Sequence, residues 1–128
     1  MDSKTVFYNF MHALLGGDVE KAVSYLDPEF VIHEVNRLPY AGTYRGHDGF
    51  RTLLGKMHNF WESMEGHGEP NVIADGDIVV VLGMLKGRAR STGEVLEIPV
   101  MERHQLRNGL IVESWPFYVD THLKNIPE

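Results

Sequence analysis

The sequence predicts a single α+β domain in which three helices pack on one face of a curved, mainly antiparallel sheet. Two patterns lead to this class. Apolar residues recur at helical spacing in three segments of the first half, whereas the second half holds long alternating segments separated by turns. The strongest turn signal is Asn108-Gly109, because this dipeptide favours tight hairpin turns. The predicted order is helix, helix, strand, helix and then about four antiparallel strands.

The three predicted helices are delimited by capping and breaking residues. The first is expected to end at Gly16-Gly17, because glycine readily takes the left-handed conformation at a helix end. The second is expected to begin at Asp18 and to stop at Asp27-Pro28, since the residue before a proline avoids the helical region. The third is predicted to begin near His47-Asp48 and to continue as far as Met64.

Strands are predicted where β-branched and aromatic residues lie between turn signals. Segment 36–46 is rich in Pro, Gly and Tyr and is expected to be a long loop. The predicted strands are 30–35, 71–74, 77–85, 94–107 and 110–119.

Composition restricts the classes of function. The chain has 128 residues, of which 43% are hydrophobic and 23% charged, as expected for one globular domain spanning residues 1–128. The absence of cysteine excludes disulfides, thiolate metal sites and a cysteine nucleophile. A net charge of −6 argues against nucleic acid and anionic membranes as partners, because both bind clustered Lys and Arg. The N-terminus does not resemble a signal peptide and no apolar run is long enough for a membrane span, so a cytoplasmic protein is expected.

The segment Ile78–Leu82 is apolar at every position, so both faces of this strand need cover. The helices would cover one face. A second copy of the chain would cover the other face, so a homodimer is predicted. The alternative is a central strand whose second face is overlaid by loops.

Three polar side chains are predicted to face the core. Alternation places Glu102 and His104 on the face of Leu106, and Glu34 on the face of Ile32. A buried carboxylate costs several kcal/mol unless it is paired, protonated or beside a water-filled pocket. These residues therefore predict a pocket with a carboxylate base, a neutral carboxylic acid and an imidazole whose protonation state can change. The alternatives are a satisfied buried network, or a register slip that turns Glu34 to solvent.

Asp120 follows the last predicted strand. It is either a second proton-transfer group at the mouth of the pocket or the cap of a turn. A hard cation held by His104, Glu34 and Glu102 is a minor alternative, because the seven histidines show no metal-binding spacing. No metal and no cofactor is expected.

The chain resembles the nuclear transport factor 2-like superfamily, and within it the SnoaL-like polyketide cyclases and the ketosteroid isomerases. Three stretches carry the likeness and together cover nearly the whole chain: LLGGDVEKAVSYLDPEFVIHE, PYAGTYRGHDGF and RNGLIVESWPFYVD. The resemblance implies a cone-shaped sheet with the three helices packed on its concave face.

In the ketosteroid isomerases a carboxylate near the end of the first strand moves the substrate proton, and Glu34 falls on that position. A protonated carboxyl on a later strand binds the developing oxyanion, and Glu102 falls there. The tyrosine that completes the oxyanion hole is replaced by Phe10, which argues against steroid isomerisation because one lost donor typically costs about 10²- to 10³-fold in rate.

The SnoaL-like comparison assigns Asp120 as the general acid/base, one residue displaced, with His104 assisting from the preceding strand without an exact match in spacing. The epoxide hydrolases of the superfamily use an Asp-Arg-Asp arrangement. Arg103 is predicted to face the wrong way for that chemistry.

These observations predict an enzyme that needs no cofactor and acts on a small, mainly hydrophobic polyketide-, terpenoid- or steroid-like carbonyl compound. Glu34 would be the base, Glu102 and His104 would polarise or protonate the enolate, and Asp120 would be a second proton-transfer group. The alternatives are a binding protein for a small hydrophobic molecule and a protein-interaction module. Tyr40 and Tyr44 would form a lid or supply a hydroxyl, unless they only pack their own loop. The predicted substrate-contacting residues are Phe10, Tyr44, Met57, Trp61 and Trp115.

Overall fold

The computed structural model describes residues 1–119, which form three helices and one seven-stranded mixed sheet. The sheet curls into a half-barrel whose strand order is β2-β1-β7-β6-β5-β3, and β4 pairs with another part of β5. All pairings are antiparallel except that of β1 with β7. The elements are α1 (Ser3–Leu15), α2 (Val19–Val23), β1 (Leu26–Glu34), β2 (Gly42–Arg45), α3 (Gly46–Phe60), β3 (Trp61–Gly66), β4 (Asn71–Asp75), β5 (Ile78–Ala89), β6 (Val95–Arg107) and β7 (Leu110–Tyr118).

The long hairpin of β6 and β7 lies where the turn signal predicts it. Asn108 and Gly109 both have positive φ angles, of 53° and 76°, as a tight hairpin turn of the I′ type requires. Position 114 in β7 also pairs with β1, so this hairpin joins the two halves of the sheet. The predicted α+β class is confirmed.

The predicted second helix is too long. It ends at Val23, and β1 already begins at Leu26, so Asp27-Pro28 lies inside the strand. The amide of Ile111 donates to the carbonyl of Tyr25, and Leu26 pairs with Ile111 in β7. The register then shifts before Val31, and this irregularity accommodates a proline that has no N–H to donate.

The predicted third helix is also too long. It ends at Phe60, and β3 begins at Trp61, where the sequence pattern had continued the helix to Met64. Two contacts end the helix here: the amide of Arg90 donates to the carbonyl of Phe60, and its guanidinium donates to the carbonyl of His58. The following residues pair with β5 instead.

The predicted loop 36–46 contains a short strand. Four residues, Gly42–Arg45, pair antiparallel with the end of β1. A four-residue strand has too short a pattern to be seen locally, and it exists because β1 offers it an edge. The pairing holds the connection from β1 to α3 against the sheet.

The core lies between the inner face of the sheet and the helices. Phe10 and Phe50 bring α1 and α3 together with ring centroids 5.9 Å apart, and Phe30 of β1 meets Phe50 edge-on at 5.8 Å. Within residues 1–119, no helix is long and apolar enough to cross a membrane.

Candidate active site

The predicted polar residues lie on the inner face of the sheet, in two adjacent rows of residues that are paired across neighbouring strands. His104 is opposite Ser114, and Glu102 is opposite Pro116. Because Ile32 of β1 also pairs with Ser114, Glu34 falls two residues further on, beside Pro116. Glu34 and Glu102 thus flank one residue of β7, with their backbones about 10 Å apart over two strand spacings. Their side chains start from the same row of the same face.

Glu34 is a buried carboxyl group, with only 3% of the residue exposed. The side-chain amide of Asn36 donates to its Oε2 atom at 3.0 Å, and the hydroxyl of Tyr118 also bonds to the carboxyl. Burial, and secondly the charge of Glu102, raises the pKa of Glu34 to about 8, although the two hydrogen bonds oppose the shift. Glu34 is therefore mainly a neutral carboxylic acid at pH 7.

His104 connects Glu102 with Ser114. Its Nε2 atom is 2.8 Å from Oε1 of Glu102, and its Nδ1 atom is 2.7 Å from the hydroxyl of Ser114. The ring packs against Phe7 with centroids 4.6 Å apart, and both His104 and Ser114 are buried. The Glu102 side chain is 26% exposed, so this chain of hydrogen bonds reaches solvent at its carboxylate end.

Two phenols, one buried and one partly buried, complete the surroundings of Glu34. Tyr40 is fully buried, and its hydroxyl accepts a hydrogen bond from Nε1 of Trp61 at 2.9 Å. Burial raises the pKa values of Tyr40 and Tyr118, and the charge of Glu34 raises both further. Each phenol therefore stays a neutral hydrogen-bond donor at pH values where Glu34 ionises.

Sequence reasoning missed Asn36 and Tyr118 as site residues. Tyr118 had no usable signal, because counting from the turn at Asn108-Gly109 would put Phe117 opposite Val100. A register shift between Gln105 and Leu106 instead brings Tyr118 opposite Val100, on the face of Glu102. Asn36 had a weak signal, an Asn at the end of a strand, whose side chain often bonds to the backbone two residues on.

The predicted substrate-contacting residues are only partly brought together. Tyr44 and Trp61 are buried and bond to Tyr40, Tyr44 by donating its hydroxyl to the Tyr40 carbonyl. Phe10 and Met57 lie in or against the helix-facing core. Trp115 is on the other side of the sheet from Ser114, stacked on His33 at 3.9 Å, so it does not face Glu34. Asp120 lies outside the described residues.

A cleft of about 310 Å³ lies between the loop after β1 and helix α3, and Tyr40 forms part of its wall. Its other lining residues are Pro39, Lys56, Asn59 and Phe60. A second, more polar cleft of about 380 Å³ lies between α1 and α2 and includes neither Glu34, Glu102 nor His104. The first cleft is not lined by Glu34, Glu102 or His104 either, and it adjoins their surroundings only through the buried ring of Tyr40.

Arg103 points to the outer face and is exposed, as predicted, so it cannot join an Asp-Arg-Asp arrangement with Glu34. Across the part of the chain that the structure describes, no three His, Asp or Glu side chains are arranged to hold a metal ion.

Many solved structures share this fold, and the three named next are distant in sequence. An NTF2-like protein from Burkholderia xenovorans is 21% identical, with a TM-score of 0.88 over 97% of this chain and 95% of that one. TerC, co-crystallised with polyporic acid, is 18% identical, with a TM-score of 0.82 over 94% of this chain and 93% of that one. IdmH from Streptomyces antibioticus, a candidate polyketide cyclase, is 21% identical, with a TM-score of 0.75 over 94% of both chains.

No curated protein matches the sequence significantly. The family model of the SnoaL-like domain matches residues 7–114, which includes both helix-rich and strand-rich halves of the described fold. With this match, and with nuclear transport factor 2-like structures as its neighbours, the chain belongs to the SnoaL-like domain family.

Proposed function

We propose that the protein is an acid-base enzyme that needs no cofactor and acts on a small, mostly hydrophobic carbonyl compound. The observation that carries the proposal is the pair Glu34 and Glu102 on one row of the inner face, with one carboxyl buried and neutral and the other backed by His104. Two carboxyls in such different surroundings are suited to opposite roles in proton transfer.

The division of roles at neutral pH differs from the one that the sequence suggested. There Glu34 was the base and Glu102 the acid. Since the pKa of Glu34 is raised to about 8, Glu34 is the proton donor at pH 7, and Glu102, hydrogen-bonded to His104, is the acceptor. Above pH 8 Glu34 ionises and its donor role is lost, so the activity should fall as the pH rises through 8.

The reaction that follows is enolisation. Glu102 takes a proton from the carbon next to the substrate carbonyl. The electron pair of that C–H bond forms a carbon–carbon double bond, and the π electron pair of the carbonyl group moves to its oxygen. Glu34 donates a hydrogen bond or its proton to this oxygen, and Tyr118 lies beside it as a further donor. Return of a proton to carbon, or attack of the enolate carbon on a second carbonyl of the same molecule, completes an isomerisation or a cyclisation.

The substrate class rests on two supports. The buried aromatic residues around Glu34, among them Tyr40 and Trp61, favour a flat, hydrophobic molecule. The described ligand of TerC and the candidate activity of IdmH suggest polyporic acid and polyketide-like compounds as the first probes.

Solvent deuterium exchange tests the proposal without knowledge of the product. The protein is incubated in D₂O with cyclic ketones, enones, aromatic polyketide analogues and polyporic acid, and proton NMR follows the loss of exchangeable C–H signals where the probe has them. We expect catalysed exchange with at least one ketone probe, and a loss of about 10²-fold or more in Glu102→Gln and Glu34→Gln. Thermal-shift measurements on the same panel report binding separately.

The two alternatives give different results in the same experiment. A binding protein would show ligand-induced thermal shifts that depend on Glu34 but no exchange above the uncatalysed rate. A protein-interaction module would show neither. Either pattern contradicts the enzyme proposal.

We also propose that the outer face of the sheet pairs with a second copy of the chain. Exposed apolar side chains lie on adjacent strands there, with Met101 between Leu82 and Phe117. A hydrogen bond from His33, and to a smaller extent the charge of Arg103, lowers the pKa of Glu113 on the same face. The charges of Arg103 and Glu113 offset each other, so two copies of this face can meet despite a net charge of −6. Sedimentation should show a dimer, and Met101→Glu should give folded monomers; a wild-type monomer at micromolar concentration would contradict this.

A further inference from the structure

Asn36 lies two residues beyond Glu34 and makes two side-chain hydrogen bonds of opposite kinds. Its Oδ1 atom accepts from the amide of Leu38 at 2.8 Å, which closes a turn of the kind that asparagine favours. Its Nδ2 atom donates to Oε2 of Glu34 at 3.0 Å. Leu38 is buried in the core, so the turn is anchored at its far end.

The turn fixes which way the Asn36 amide faces. An amide has one acceptor end and one donor end, and the backbone N–H of Leu38 can bond only to the acceptor end. The donor end is therefore held towards Glu34. In a neutral carboxylic acid the carbonyl-type oxygen is the better acceptor, so Oε2 takes that form and the proton belongs on Oε1.

We propose that Asn36 is a positioning residue that directs the acidic proton of Glu34 to Oε1, the oxygen that meets the substrate. The second half of this statement rests on the proposed function. The first half concerns the free protein and is open to test without any substrate.

Other groups facing Glu34 act on the same carboxyl and must be counted. From β6 comes the charge of Glu102, from β7 the hydroxyl of Tyr118, and from the loop after β1 the phenol of Tyr40, on which Glu34 acts in turn. Glu102 and Tyr118 are on separate elements from Asn36, whereas Tyr40 is four residues further along the same loop. These are the groups identified among residues 1–119. Asn36→Asp, which keeps the bond that closes the turn, changes only one of the contacts to Glu34.

The test compares two substitutions with a matched control. Asn36→Asp keeps an oxygen for the Leu38 amide, so the turn survives, but it replaces the donor with an acceptor of negative charge. Asn36→Ala removes both bonds. Asn71→Asp, at an exposed position of β4, adds the same charge four strand spacings away from Glu34 in the sheet. Carboxyl ¹³C NMR then follows the titration of Glu34 in each protein without ligand, with Glu34→Gln used to assign the signal.

We expect the Glu34 midpoint to rise by at least one pH unit in Asn36→Asp, a tenfold change in the acid dissociation constant, and by less in Asn36→Ala. The Asn71→Asp midpoint should match that of the wild type. In turnover, Asn36→Asp should lower kcat far more than it changes KM, because the proton is misdirected while the pocket keeps its shape.

An unchanged midpoint in folded Asn36→Asp would overturn the inference, as would equal shifts in Asn36→Asp and Asn71→Asp. Thermal unfolding shows whether each variant is folded. If the midpoints move as expected but the wild-type protein exchanges no substrate protons, the proposed function fails while the placement of the proton stands. A shifted midpoint with unaltered kcat on an active substrate would overturn the catalytic half.

Discussion

Glu34 and Glu113 lie on neighbouring strands of one sheet but on opposite faces, and their pKa values move in opposite directions. Glu34 faces the core, where burial raises its pKa to about 8. Glu113 faces outward, where a hydrogen bond from His33 at 3.0 Å lowers its pKa. His33 and Glu34 are adjacent in β1, and neighbouring residues of a strand point to opposite faces. A single step along the strand therefore leads from one environment to the other.

The face of the strand on which a glutamate lies, rather than the residue type, therefore decides whether its carboxyl group is charged or neutral near pH 7. On the outer face a carboxylate keeps its charge, remains 39% exposed and pairs with an imidazole. On the inner face desolvation disfavours the charge, and the group becomes a neutral acid that can donate a proton near pH 7. Only the inner face is suited to proton transfer at that pH.

Substitution of Glu34 by Gln should have the largest effect on stability, and the effect should grow as the pH rises from about 4.5 to about 8. The folded-state pKa of Glu34 is raised above its unfolded value of 4.5. The stabilisation of the fold by neutral Glu34 is therefore fully present below about pH 4.5, and it is lost as the pH rises from there through 8. The wild type should lose on the order of 5 kcal/mol by this route, since one pKa unit corresponds to about 1.4 kcal/mol. Glu34→Gln should match the wild type at pH 5 and exceed it at pH 9 in urea unfolding; equal stability at both pH values would remove the contrast between the faces.

A second test of the inner face is steric. A Cβ atom on Gly87 would lie 2.7 Å from the ring of Trp61, whose Nε1 atom holds the hydroxyl of Tyr40. Because an indole ring cannot bend away, Gly87→Ala should cost about 1–3 kcal/mol of stability. Gly83→Ala on the same strand is the matched control, since its Cβ would meet Pro70 at an ordinary 3.5 Å. Similar melting temperatures for the two variants would contradict the close packing of Trp61.

Removal of the neighbouring charge should sharpen the assignment of Glu34. The charge of Glu102 raises the pKa of Glu34, so Glu102→Gln should lower the Glu34 midpoint by about one pH unit. Glu97→Gln, an exposed position on the same strand, serves as the control for the lost charge. A Glu34 midpoint that does not respond to Glu102 would mean that the two carboxyls do not share a site.

The outer face should respond least. The pKa of Glu113 is lowered in the folded state, so its stabilisation is present above the unfolded pKa and is lost as the pH falls through the folded value. Exposed pairs are worth about 0–1 kcal/mol, so Glu113→Gln should cost less than 1 kcal/mol at pH 6, and still less in high salt. A loss comparable with that of an inner-face substitution would contradict an exposed His33–Glu113 pair and would place Glu113 inside the contact with a second copy.

Local patterns in the sequence predict the faces of the strands but not their partners. Alternation with period two places Glu102 and His104 correctly from Leu106 alone, and Asn108-Gly109 locates the hairpin to within a residue. Strand β3 and the early start of β1 were not predicted, because each depends on pairing with a strand that is distant in sequence. These partners are β5 for β3 and β7 for β1. Physical proximity in the fold, rather than local preference, decides these elements.

The roles of the two carboxyls could not be predicted for the same reason. The sequence offers two glutamates on inward faces, and nothing local distinguishes them. The difference arises from the fold, which buries Glu34 to 3% exposure but leaves 26% of the Glu102 side chain exposed beside His104. The contacts from Asn36 and Tyr118 likewise require the turn after β1 and the register of β7.

The most direct test of the account is a ¹³C NMR titration of the Glu34 carboxyl in the wild-type protein without ligand. Glu34→Gln identifies the signal by its loss. The account predicts a midpoint near pH 8, with the neutral acid as the main form at pH 7. A midpoint near the ordinary value of 4.5 would contradict it, because Glu34 would then be a solvated carboxylate and the two faces of the sheet would offer the same chemistry.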